Sequence, residues 1–367
     1  MRLYIHQREA WPEFTWNSED FLDLLSEVRH LQGKLLGKME VLGFEIRNEA
    51  LLETLTLDVI KSSEIEGEML HREQVRSSIA RKLGMDLAGA VPSDRFVDGV
   101  VEMMLDATQN CFAPLSDQRL FDWHAALFPT GRSGMYKITV GAWRKDSAGP
   151  MQVVSGAMGA EKVHYQAPDA AGLELEMQRF IAWFNQKSMD PVIKAAVAHF
   201  WFVTIHPFED GNGRITRALT DMLLARADKS SQRCYSMSAQ ILAMRKQYYE
   251  VLEHAQKGDL NISPWIVWFL DCLIQALKST ESTLTNVLFK AEFWQKHIHT
   301  KINERQRKLL NKLLDGFEGT LTTSKWAKIA KCSKDSAVRD INDLMEKGIL
   351  YKEAAGGRST NYALTRE

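Results

Sequence analysis

The sequence predicts a mainly α-helical protein, interrupted by one β-hairpin and ending in a winged helix-turn-helix. Apolar residues recur at three- and four-residue spacing through most of the chain, as one buried face of a helix requires. The stretch from Gly131 to Ala167 breaks that pattern with glycines and two short β-forming runs, and beyond residue 300 short helical patterns give way to two strand-like runs. At 367 residues, 45% hydrophobic and 25% charged, the chain has room for two or three domains. The expected division is a helical N-terminal region (1–95), a core (96–295) and the winged helix (300–367).

Composition narrows the function classes. Lysine plus arginine (46) nearly cancels aspartate plus glutamate (47), so no global field draws the protein to nucleic acid or membrane, and any basic surface is local. Cys111, Cys234, Cys272 and Cys332 lie far apart without a C-x-x-C pair, which argues against a disulfide framework or a structural zinc site. Arg8 and Glu9 interrupt the start before any signal-like apolar run, and no later run approaches a membrane span. A reduced, cytoplasmic protein is the expectation.

In chain order, Ser18-Glu19-Asp20 reads as an N-cap and acidic first turn for a helix to about Leu42. A second helix leads into Ser62-Ser63-Glu64-Ile65-Glu66-Gly67, where Gly67 supplies the left-handed residue of a helix end. Helices follow at Arg72–Leu83, Asp94–Gln109 and from the cap Ser116 to Phe128. Met151–Val154 and Lys162–Tyr165 form the hairpin around Ser155–Ala160. Leu173–Asn185 is helical, and Asp190-Pro191 caps a helix that is apolar nearly all round from Val192 to Val203, hence central and buried. Ser238–Ala255 and Ser263 to about Leu288 read as helices, and Lys296–Arg307 as a charged connection. The terminal unit has helices at Arg305–Leu314, Ser324–Ala330 and Lys334–Lys347, the last capped by Ser333, then strands around Ala354–Arg358.

The central helix runs into Thr204-Ile205-His206-Pro207-Phe208-Glu209-Asp210-Gly211-Asn212-Gly213-Arg214-Ile215-Thr216-Arg217. Gly211 and Gly213 leave backbone N–H groups approachable where a second helix begins, which makes an anion nest. Arg214 and Arg217, three apart, project from one face and suit a di- or triphosphate. Asp210 offers a hard carboxylate oxygen for Mg²⁺, and His206 has the unperturbed pKa of a general base near neutral pH. Phe208 points into the core and pins the loop.

This is neither a Walker A loop nor a kinase set. His206-x-Phe208-x-Asp210-Gly211-Asn212-Gly213-Arg214-x-x-Arg217 instead resembles the signature H-x-F-x-[DE]-G-N-G-R-x-x-R of the Fic family of nucleotidyltransferases, matching it at every specified position. The resemblance implies that ATP binds on the nest and that a target hydroxyl attacks its α-phosphate. Pyrophosphate then leaves, and AMP stays on a Ser, Thr or Tyr of a target protein or of the chain itself. By the same carry-over His206 is the base, Asp210 the Mg²⁺ ligand and Asn212 an α-phosphate donor, while Gly211, Gly213, Arg214 and Arg217 hold the phosphates. The hairpin resembles the family's target-docking flap, with Val153, Val154, Val163, His164 and Tyr165 as pairing residues. Ser62-x-x-x-Glu66-Gly67 resembles the family's inhibitory pattern [ST]-x-x-x-E-[GN], which implies that Glu66 pairs with Arg217 and blocks the γ-phosphate volume. Family members with this glutamate also include some that remove AMP.

Other readings stay open. One is a core that senses nucleotide for a DNA-binding regulator, another a core that transfers UMP or phosphocholine, since the motif grips phosphate and says little about the base. Asp335, Asp340 and Asp343 on the expected recognition helix oppose DNA binding, whereas Lys325, Lys328, Lys331, Lys334 and Arg358 favour it. A protein-interaction or homodimer role for that domain is preferred. His199, Trp265 and Trp268 read as core, and Tyr248-Tyr249 as core or as a nucleobase wall.

Overall fold

The computed structural model describes residues 4–365 except 88, 147, 148, 157–161, 188, 315, 316, 318 and 354–359. The chain divides into two compact units, Met1–Glu281 and Ser282–Glu367.

The first unit is mainly helical. Two 3-10 turns precede α1 (Leu22–Glu40), and Ser18 opens the second of them rather than capping a helix, because the Asn17 side chain accepts from the Glu19 N–H. Next come α2 (Phe44–Ile65), α3 (Arg72–Lys82), α4 (Arg95–Gln109) and α5 (Asp117–Leu127). Asp94 and Ser116 cap the last two through their side chains. Strands β1 (Arg132–Ser133) and β2 (Tyr136–Lys137) pair in a hairpin too short to leave an alternating pattern in the sequence. Strands β3 (Gln152–Ser155) and β4 (Lys162–Gln166) form the expected hairpin, with Val153 opposite Tyr165, Val154 opposite Val163 and a register shift between. Most of the expected turn, from Ala157 on, lies outside the described residues.

Helix α6 (Leu173–Asn185) leads to α7 (Pro191–Ile205), capped by Asp190, and then α8 (Asn212–Asp228). The helix expected over Ser238–Ala255 is two: α9 (Met237–Ala243), capped by Ser236, and α10 (Arg245–Gln256), with Met244 departing from helical geometry between them. Helix α11 (Ser263–Lys296) outlasts its expected end near Leu288.

Helix α7 is buried along its length, and the Trp265 indole donates to the Ala196 carbonyl at 2.8 Å, so His199, Trp265 and Trp268 are core. Helix α2 is rooted on the same mass. Its buried Asp58 accepts from Ser236 Oγ at 2.5 Å and from the Ser238 N–H at 3.2 Å, at the start of α9. On its outer side Glu49 and Glu53 pair with Arg76 and Arg72 of α3.

The second unit holds α12 (Glu304–Leu314), α13 (Thr323–Ala330), α14 (Lys334–Glu346) and the antiparallel pair β5 (Leu350–Lys352) and β6 (Tyr362–Leu364). They enclose Leu309, Trp326, Ile341 and Leu344. Thr322, not a residue beside Ser324, caps α13. The wing tip Ala354–Arg358 lies outside the described residues. Asp340 is buried against Arg305 at 3.0 Å, and Asp343 accepts from Gln306 and Lys347. Two of the three carboxylates expected to repel a duplex are therefore turned to partners within the unit.

Gly99 of α4 faces the backbone of α5 so closely that an added Cβ would stand 1.8 Å from the Ala126 carbonyl oxygen. Gly99→Ala is expected to destabilise the protein by about 1–3 kcal/mol through overpacking. Gly33→Ala in α1, where a Cβ meets nothing, is expected to be neutral or stabilising by roughly 0.5–1 kcal/mol. Denaturant midpoints compare the two, and equal midpoints would refute the close-packing account.

Candidate active site

The site forms where α7 stops and α8 starts. His206 ends α7 in the left-handed region at φ 54°, a conformation uncommon for residues other than glycine and held here by its surroundings. Arg144, itself buried, supplies that constraint: its Nε donates to the His206 carbonyl at 2.8 Å and its N–H to the Pro207 carbonyl at 2.9 Å. His206 Nδ1 lies 3.3 Å from the Val203 carbonyl, and since a carbonyl only accepts, the proton sits on Nδ1 and the lone pair on Nε2. Burial holds the imidazole down at about 4, so it is neutral and able to accept a proton at physiological pH.

The loop from Pro207 to Gly211 is held from several sides. Phe208 is fully buried and stacks on His124 with ring centroids 4.2 Å apart. His124 Nδ1 accepts from the Gly141 N–H, which leaves Nε2–H to donate to the Asp210 carbonyl at 3.1 Å. Thr139 donates through its hydroxyl and its N–H to the Glu209 carboxylate. Asn212 closes the loop on itself: Oδ1 accepts from the Phe208 N–H at 2.9 Å and Nδ2 donates to the Phe208 carbonyl at 2.8 Å. The Asn212 amide is thus first a brace, and one Nδ2 hydrogen remains for a ligand.

Gly211 takes φ 81° as the α8 N-cap, where a Cβ would meet the Phe128 ring at 2.9 Å. Asp210 Oδ1 accepts from the Gly211 N–H at 2.5 Å, and Ser133 Oγ donates to Oδ2. The Asp210 side chain remains 42% exposed. Among the described residues no three His, Cys, Asp or Glu side chains group to hold a metal. One open carboxylate fits Mg²⁺, which takes its other oxygens from phosphates and water.

Arg214 and Arg217, on the first turns of α8, are buried and occupied. Arg217 Nε donates to Ser62 Oγ at 2.9 Å, and Nη2 donates to the Ser62 carbonyl and to Glu66 Oε1, each at 2.8 Å. Arg214, 1% exposed, packs over the Phe96 and Phe128 rings and donates from Nη1 to Glu68 Oε2 at 2.6 Å. Gly67 at φ 85° turns the chain between the two glutamates. The Glu66 carboxylate rests on the α8 N-terminus so closely that a Cβ at Gly213 would stand 2.1 Å from Oε1. A carboxylate of the same chain thus lies against Gly213 and Arg217, the residues that the sequence assigns to phosphate.

The flap residues separate into two groups. Val154 and Val163 are 48% and 38% exposed, and Val153 is half-buried, so these stay available on the hairpin. Tyr165 is not: it is 1% exposed, its hydroxyl donates to the Thr204 carbonyl at 2.9 Å, and His6 Nδ1 bonds the same hydroxyl. Tyr165 anchors the hairpin to the end of α7 and corrects its assignment as a docking residue. His164 is likewise tied, to Ser155 Oγ and to Glu253 of α10. Tyr248 is core, bonded to His199 Nε2, while Tyr249 is 40% exposed. Sequence reasoning missed Ser133, Thr139, His124, Arg144 and Glu68. The first four lie in or before an irregular stretch without periodicity, whereas Glu68 shows itself as the second acid of Glu66-Gly67-Glu68.

Residues 114–224 match the Fic/DOC family, and residues 4–85 match a domain of unknown function, DUF4172. A Fic/DOC domain therefore occupies the centre of the chain. It is 41% identical over 120 residues to the protein adenylyltransferase Fic of Drosophila grimshawi, a stretch that is 32% of this chain and 22% of that protein. The same protein of Drosophila ananassae matches at 41% over 120 residues, 21% of its length. The match therefore spans about a fifth of these curated relatives. A Fic family protein from Desulfovibrio desulfuricans shares the fold at a TM-score of 0.54 and 20% identity, with 97% of this chain and 98% of that one covered. A fragment of Fic-1 of C. elegans carrying a single substitution does so at 0.50 and 21%, with 73% of this chain and 74% of that one covered.

Burial holds His6, His124 and His206 at about 4 and His199 at about 3. Unfolded, each titrates near about 6.5, so each contributes stability that is lost as pH falls from there toward its folded value. Glu68 and Asp221, raised mainly by burial, act in the opposite sense, so individual titrations are more telling than melting midpoints. Histidine NMR of the folded protein is expected to show these four resonances unshifted from about pH 7 to pH 5. Movement of all four near pH 6.5 would contradict their burial.

Proposed function

We propose that the chain is a self-inhibited adenylyltransferase that moves AMP from ATP to a hydroxyl of a protein target or of itself. The observation that carries this reading is the Glu66 carboxylate on Arg217 and the α8 N-terminus, an anion in the place where a phosphate chain belongs. When ATP replaces it, the nest at Gly211–Gly213 and the two guanidinium groups bind the phosphates, and the free Asn212 Nδ2 hydrogen orients the α-phosphate. His206 Nε2 accepts the proton of the attacking hydroxyl as the new oxygen–phosphorus bond forms. The bond from the α-phosphorus to the bridging oxygen breaks, and pyrophosphate leaves. Asp210 would hold Mg²⁺, which neutralises phosphate charge when bound. The exposed Val154 and Val163 suit docking of an extended target segment along the hairpin. Removal of AMP, and transfer of UMP or phosphocholine, use the same phosphate grip and remain variants of this reading.

With labelled ATP and Mg²⁺, the wild-type chain is expected to label itself weakly, Glu66→Gly at least about tenfold more strongly, and His206→Ala not at all. Equal labelling by wild type and Glu66→Gly would remove the self-inhibition. No labelling by any variant with any nucleotide would remove the transferase.

A second reading, a DNA-binding regulator that senses nucleotide, gains from the inward pairing of Asp340 and Asp343 and from exposed Lys325, Lys328, Lys331 and Lys334. On that reading the full chain should retain duplex DNA at low salt, with affinity falling steeply between roughly 50 and 200 mM salt. Absence of retention at low salt would dismiss it.

A further inference from the structure

Glu66 is not the only acid that α2 delivers to the phosphate grip. The helix ends in a Schellman turn, with the Gly67 N–H donating to the Glu64 carbonyl and the Glu68 N–H to the Ser63 carbonyl, both at 3.0 Å. Because Gly67 reverses the chain at φ 85°, the residues on either side of it face the same end of α8. Glu66 meets Arg217 at 2.8 Å and Glu68 meets Arg214 at 2.6 Å. Arg214 is sealed among aromatic rings, with its Nε lacking a hydrogen-bond partner, so the Glu68 carboxylate is its short charged contact, Asp210 standing off at 3.9 Å.

We infer that the inhibitory turn is two-pronged: Glu68 occupies Arg214 as Glu66 occupies Arg217, and productive seating of a nucleoside di- or triphosphate requires both carboxylates to leave. This rests on the adenylyltransferase reading and adds a second regulatory residue to it. Arg214 and Arg217 are the buried guanidinium groups on the first turns of α8, and each can donate to a carboxylate or to a phosphate edge. With Glu66 removed, the γ-phosphate volume opens while Arg214 stays engaged, so release is partial. Glu68 is 38% exposed on its side chain and sits beyond the helix end, so it can be replaced without disturbing the core. Burial raises its carboxyl and Arg214 opposes that rise.

The test measures equilibrium binding of ATP, ADP and AMP to the full chain carrying Glu66→Gly, with and without Glu68→Gln, and with Glu68→Ala as a second replacement lacking any hydrogen-bonding head. Removing Glu68 is expected to tighten ATP and ADP about tenfold over Glu66→Gly alone and to leave AMP unchanged, because AMP carries no phosphate that reaches Arg214. Labelling of the chain by ATP should rise in step. Unchanged ATP and ADP affinity in both replacements, or an equal gain for AMP, would overturn the second prong. If Glu66→Gly binds and labels while the Glu68 replacements add nothing, only this inference falls. If no variant binds nucleotide, the transferase reading falls and takes this inference with it.

Discussion

A buried guanidinium cannot be left without an anion, and Arg217 is buried. Its charge, its Ser62 bonds and its place on the first turns of α8 make an oxyanion partner obligatory, because an unpaired charge out of water costs several kcal/mol. Glu66 fulfils that requirement from within the chain. The rest of the first unit follows from it. Helix α2 must end at α8 and not merely near it, which fixes α2 against α9 through Asp58. The chain must also turn at once after Glu66, which requires Gly67. The close approach of the carboxylate to the α8 backbone then requires the absence of a side chain at Gly213.

The other side of the site obeys a separate constraint. His206 stands in a backbone conformation that its side chain does not favour, and the segment between α5 and β3 is spent largely on keeping it there. Arg144 takes its carbonyl, His124 takes that of Asp210, and Thr139 takes the Glu209 carboxylate. Besides the short β1–β2 pairing, this segment sends backbone and side-chain donors to the loop: the Thr139 N–H to Glu209 and the Arg144 N–H to Pro207. The loop from His206 to Asp210 is thus held by residues 124–144, whereas Arg214 and Arg217 are met by the turn at the end of α2.

Much of this was legible in the sequence, and the parts that were not have physical reasons. The run from Val192 to Val203, apolar nearly all round save Lys194 and His199, announces a central helix because a helix apolar on every face must be buried. The His206–Arg217 stretch marks a candidate site because it gathers two glycines, two arginines, an acid and an imidazole, and its resemblance to the Fic signature is what suggests their roles. Periodicity does not mark a junction such as Met244, where two helices meet without a turn residue. Nor does it mark Arg144, whose work is done by a long side chain reaching across the fold. Tyr165 was misjudged because strand alternation says which residues share a face and not which face the protein covers. The N-terminal residues Tyr4 and His6 cover that one. Asp340 was misjudged for the parallel reason that a charge on a helix was read as facing solvent.

On the self-inhibited reading proposed above, the rooting of α2 by Asp58 has a consequence for how the chain would be switched. A blocker carried on a separate chain dissociates as it is diluted, and its occupancy follows the relative abundance of two proteins. A blocker held on a fixed helix acts at an effective local concentration set by geometry alone. Its occupancy is the same in one copy per cell as in thousands. Expression level is then no control over activity; only something that bends the last turn of α2, or an anion able to outcompete a tethered carboxylate, changes the state of the molecule.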